Sequence, residues 1–245
     1  MPVFFLSCAC KHARRLYNRF MCGRFAQTIP IAEIVKEYFI DEVITTVSPS
    51  CNIAPGQRVA AAVRSVKGRR LLVDFHWGLV PSWAKDRSVG NRLINARAET
   101  VARKPSFRKS FETRRCLVIA SGFYEWKKEG KLKRPYYYSL VSKRPFAFAG
   151  LYDRWTAPGG EILESCTIIT TEANSSVRPV HDRMPVMLKP ESGSIWLNSA
   201  SAPADLIGLL SPYPSEEIEA YPVSFAVNSP ANNGPECIEP WDPQK

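Results

Sequence analysis

The apolar positions fall mostly in short runs broken by polar and turn-forming residues. This is the pattern of many short strands rather than of long helices. Val59–Val66 and Arg70–Trp77 read as two strands around the basic turn Lys67-Gly68-Arg69. Further strands are predicted over Cys116–Ala120, Phe123–Lys127, Tyr136–Val141, Phe146–Gly150 and Cys166–Thr171. Turn signals such as Lys128-Glu129-Gly130 and Pro158-Gly159-Gly160 separate them. Helical spacing is clearest in Ile31–Phe39. Arg97–Ala102 and Ser106–Arg114 read as short helices after a loop over Pro81–Asn91, and Ser194–Asn198 and Ala204–Leu210 as two more. The last 30 residues, rich in Pro and Asn, read as an ordered wrap with a short strand at Ala220–Val227. The expected fold is α+β, one domain built on a curved, barrel-like antiparallel β-sheet with a few short helices.

No linker, repeat or low-complexity run interrupts residues 21–245, which read as a single domain. Residues 1–20 (MPVFFLSCACKHARRLYNRF) read differently. Their apolar stretch precedes a basic one, the reverse of a secretory signal, and they are expected to lie outside the fold as a mis-assigned start or a removed segment.

Composition narrows the function. The chain has 245 residues, 45% of them hydrophobic and 23% charged, which excludes wholesale disorder. No apolar run approaches the roughly 18 residues of a membrane helix. Net charge is +10, but the first twenty residues contribute four cations and no acid, leaving +6 for the remainder. That surplus points to a polyanionic partner, nucleic acid first. The seven cysteines have no paired zinc-like spacing and the histidines number only three, so neither a metal nor a cofactor is expected. A reduced, cytoplasmic-type compartment and a monomer are the simplest expectations.

Reactive groups occur in a few segments. In Met21-Cys22-Gly23-Arg24-Phe25, removal of Met21 would leave Cys22 with a free α-amine beside its thiol. An α-amine near pKa 8 offers roughly a few-hundred-fold more free base at neutral pH than a lysine, and it condenses readily with an aldehyde. Arg24 nearby is expected to favour the thiolate. Leu93–Thr100 sets Asn95 and Arg97 two apart, on one side of an extended chain. Gly122-Phe123-Tyr124-Glu125-Trp126 turns Glu125 opposite Tyr124 and Trp126, and an apolar setting there would raise its pKa and suit it to acid–base work. His181 lies in a loop ended by Pro185. Taken singly, each of these residues reads more readily as structural or solvated.

Together, however, the segments MCGRFAQ (21–27), NIAPGQ (52–57), WGLVPSWAKD (77–86), LINARAET (93–100), GFYEWKK (122–128), TIITTEAN (167–174) and HDRMPVML (181–188) resemble the SRAP family of abasic-site processing proteins. The likeness covers about residues 21–240. It implies binding and cross-linking of single-stranded DNA that contains an abasic site, in a DNA damage response. By that resemblance Cys22 is the nucleophile, Asn95 holds the amine and sugar, Glu125 moves protons, and His181 assists ring opening and reversal, with Thr170 beside it. Arg24, Arg97 and Arg183 become phosphate clamps, and Trp83, after Pro81-Ser82, abuts bases. The family cysteine directly follows the initiator methionine, so translation is expected to start at Met21, or the chain to be cleaved before Cys22. Two other readings stand beside this one. The first is a cysteine peptidase using Cys22, His181 and Asn95; the second is a non-catalytic single-strand binder.

Overall fold

Chain segments whose apolar residues face both ways form the centre of the molecule. The computed structural model describes residues 22–242, and the expectation for residues 1–20 lies outside them. In chain order the elements are β1 (Phe25–Gln27), α1 (Ile31–Tyr38), β2 (Glu42–Val43), β3 (Ser50–Ile53), β4 (Arg58–Arg64), β5 (Arg70–Trp77), β6 (Asn95–Arg97), α2 (Ala98–Val101), α3 (Arg108–Thr113), β7 (Arg115–Ala120), β8 (Gly122–Glu129), β9 (Leu132–Leu140), β10 (Phe146–Thr156), β11 (Ile162–Glu172), β12 (Arg183–Pro185), β13 (Met187–Leu188), α4 (Pro190–Leu197), α5 (Pro203–Gly208) and β14 (Ile218–Pro222). One sheet runs β14-β9-β8-β1-β3. A second runs β12-β11-β10-β7-β4-β5-β2, and a parallel pairing of β11 with β5 returns it on itself. The α+β fold on a barrel-like sheet is therefore present, with parallel joins at β2–β5, β5–β11 and β6–β11 where an antiparallel sheet was expected.

The alternation of β4 explains the layering. Val59, Ala61 and Val63 point into a core shared with the five-stranded sheet, while Ala60 and Ala62 pack under the helices. The first core joins Phe25, Phe123, Tyr138 and Phe148 of both sheets; the second holds Ile34 and Tyr38 of α1 and Trp196 of α4. At Gly78 the backbone has φ +138°, and an added Cβ would sit 2.8 Å from the Gly90 carbonyl. Glycine is required at this crossing.

Boundaries move for physical reasons. β10 and β11 run to 11 residues each because their hairpin keeps register out to Thr156 and Ile162, carrying polar residues beyond the apolar runs at Phe146–Gly150 and Cys166–Thr171. Asn95–Arg97 is a strand, parallel to β11, so the helix expected from Arg97 begins at Ala98. The C-terminal strand stops at Pro222, which lacks a donor, and Phe225–Asn228 forms a 3₁₀ turn capped by Ser224. The short strands β1, β2, β3, β6, β12 and β13 were not expected, since two to four residues are too few for a period to register.

Candidate active site

The pairing of β1 with β8, Phe25 opposite Phe123, draws the segment before β1 across Glu125. The Cys22 backbone N–H donates to Glu125 Oε1 at 2.8 Å. Glu125 shares its strand face with Phe123 and is only 4% exposed. Burial pushes its carboxyl up to about 8; the Cys22 hydrogen bond opposes the rise and the charge of Asp182 adds to it. Asn95, at the edge of β6, directs Nδ2 to the Cys22 carbonyl at a long 3.4 Å. Three of the expected residues are thus brought into contact, one from each of three separate segments.

Burial also pushes the Cys22 thiol well above its usual range, with the Glu125 charge as a second cause. The sulfur is therefore held as a thiol. This corrects the expectation that Arg24 favours a thiolate. Arg24 is buried and its Nη1 donates to Asn52 Oδ1 (2.7 Å) and the Val227 carbonyl (2.6 Å). Asn52 Nδ2 in turn donates to the carbonyls of Ser229 and Asn232 at 3.0 and 2.6 Å. Arg24 thereby fastens the C-terminal wrap to β3, and an exposed phosphate clamp at this position is not what the fold presents.

His181 follows a turn and is half-buried; its Nδ1 accepts from the Arg183 N–H at 3.0 Å and lies 2.9 Å from Asp182 Oδ1. One nitrogen cannot serve both at once. The backbone donor is fixed, whereas Asp182 is 86% exposed and screened, so the backbone bond is the stronger constraint. It leaves Nε2 as the proton-bearing edge of the neutral ring. Thr170 is buried on β11, and Arg183 Nη2 donates to its carbonyl at 2.6 Å. Arg183 also makes a two-pronged pair with Glu99, on the first turn of α2, while Arg97 stays exposed.

Trp83 is 62% exposed on a well-fastened loop. The Ser82 N–H donates to Asp153 Oδ2 at 2.9 Å, Trp155 Nε1 to the Ala84 carbonyl at 2.7 Å, and the Ala84 N–H to the carbonyl of the buried Pro81 at 2.8 Å. None of these bonds reaches the Cys22 cluster. Sequence reasoning missed Asp153, Trp155, Asn52 and Glu99. Asn52 and Glu99 lie inside quoted motifs, so position was the available signal; nothing local marks Asp153 or Trp155. Among the described residues, no three His, Cys, Asp or Glu side chains converge as metal ligands.

The arrangement sets a buried carboxyl of raised proton affinity against the backbone nitrogen of a cysteine. The family model described as SOS response associated peptidase (SRAP) matches residues 21–230. Abasic site processing protein YoqW of Bacillus subtilis is 45% identical over 223 residues, covering 89% of this chain and 99% of its own. Abasic site processing protein HMCES of Xenopus tropicalis is 35% identical over 193 residues, covering 69% of this chain and 57% of its own. A solved structure from Bacteroides thetaiotaomicron matches with a TM-score of 0.81 at 29% identity, covering 90% of this chain and all of that one.

Proposed function

The chain belongs to the SOS response associated peptidase family, and we propose that it captures abasic sites in single-stranded DNA as a covalent adduct on Cys22. The observation that carries this reading is the 2.8 Å contact between the Cys22 nitrogen and the buried Glu125 carboxyl. A carboxyl poised near neutrality is suited to taking and returning protons at that nitrogen.

Chemistry dictates the order of steps. The Cys22 amine attacks the C1′ aldehyde of the opened deoxyribose, giving a carbinolamine; protonation of its hydroxyl, with Glu125 as the acid, releases water and leaves an imine. The thiol then adds to the imine carbon, its proton passing to nitrogen, and a thiazolidine closes. A peptide-bonded nitrogen has no basic lone pair for the first step, so the reading requires that Cys22 become the N-terminus. Asn95 steadies the segment through its carbonyl. His181, its Nδ1 engaged by the Arg183 N–H, assists opening of the sugar through Nε2. Arg97 and Arg183 take backbone phosphates and Trp83 stacks on a neighbouring base. An abasic site offers no base edge, so contacts of these kinds carry recognition.

A thiolate-first peptidase fits less well, because burial holds the Cys22 sulfur protonated. The test is to mix the protein with a single-stranded oligonucleotide carrying one abasic site and resolve it under denaturing conditions. A shifted band whose mass is protein plus DNA less one water is expected. Protein proven to begin at Cys22 that yields no such band would sink the proposal.

A further inference from the structure

We propose that Glu99 sets the specificity of DNA binding: it caps Arg183 in the unbound protein and gives up that place to a backbone phosphate. The inference rests on the reading that Arg183 engages DNA.

The geometry is that of a stand-in. Arg183 Nη1 and Nη2 both meet the Glu99 carboxylate, Nη2 to Oε2 at 3.1 Å. A guanidinium fork offers this same two-pronged face to a phosphate. Arg183 is only 8% exposed and Nη2 is also tied to the Thr170 carbonyl at 2.6 Å, so the arginine is the fixed member. Its Nε is buried and finds no partner among the described residues, so the pairing with Glu99 leaves the guanidinium incompletely satisfied. Glu99 is 47% exposed on a short helix end and is the member free to move. The exposed Arg97, two residues earlier, adds a second cation whose charge is also felt by Glu99.

A phosphate and a carboxylate cannot share one fork, since like charges at contact repel. DNA binding at Arg183 is therefore an exchange of partners. Any polyanion arriving without further contacts must displace Glu99 for little return, whereas a strand held by the captured sugar and a stacked base does so readily. The carboxylate thus lowers affinity for undamaged strands.

The experiment measures binding of an undamaged single strand, and of the same strand carrying a tetrahydrofuran abasic analogue that has no aldehyde to react, over a range of salt concentrations. Wild type is compared with Glu99→Gln and Glu99→Ala, each first shown to be folded by circular dichroism. Removing the carboxylate should tighten binding of the undamaged strand about two- to fivefold and that of the analogue strand by less. It should also steepen the slope of log affinity against log salt by about 0.7, because one more protein charge acts on the strand. Both changes together support the proposal. Unchanged or weaker binding of the undamaged strand, equal tightening of both strands, or a slope that is not steeper overturns it and leaves Glu99 without a role in specificity. Failure of the wild type itself to bind the strand would instead overturn the underlying assignment of single-stranded DNA as the partner.

Discussion

Glu125 and Glu99 are both carboxylates of the candidate site, yet the fold pushes their proton affinities in opposite directions. Glu125 is buried on a sheet face, where the Cys22 backbone N–H donates to it, and burial raises it to about 8. Glu99 stands at the rim, where the hydrogen bond from Arg183 holds its carboxyl below the usual range. The same functional group therefore keeps its proton more readily in one place and its charge more readily in the other. What separates them is access to water and to a cation.

Several measurements would break or sharpen that contrast. The largest effect is expected from Cys22→Ala, which should abolish the denaturant-stable DNA adduct, since both the sulfur and the ring it closes are lost. Next, Glu125→Gln should slow adduct formation by about 10²–10⁴-fold, the usual worth of a positioned acid–base, in single-turnover gels. If instead it leaves the rate intact, Glu125 is only a structural partner of Cys22. Trp83→Ala should weaken single-strand binding by about 1–3 kcal/mol in an anisotropy titration.

Stability offers a subtler check. In the chain with Cys22 in peptide linkage, Glu125 holds its proton in the folded state up to about 8 but releases it near 4.5 when unfolded. The folded state binds more protons between those values, so stability falls as pH rises through them. Glu125→Gln should remove that loss, and its melting temperature relative to wild type should climb between pH 5 and pH 8. A constant difference across that range would contradict the burial account. Smallest of all, Arg144→Ala should leave the denaturant midpoint almost unmoved. It breaks the pair with Glu37, but Arg144 is 66% exposed, so the pair is screened in a way that Glu125 is not.

The sequence by itself determined the strand-rich α+β class, the span of β5, the core of α1 and the residue types of the site. Those follow from local patterns: apolar runs bounded by glycine and proline, Ile34 and Tyr38 one turn apart, and reactive side chains set in recognisable motifs. Tertiary structure alone decided what those residues do. It closed the second sheet through β5 and β11, brought Cys22 to Glu125 across 103 residues, turned Arg24 inward to Asn52, and seated Glu99 on Arg183. Proton affinity and charge availability depend on solvent access and on neighbours distant in sequence. No local pattern of residues encodes either one.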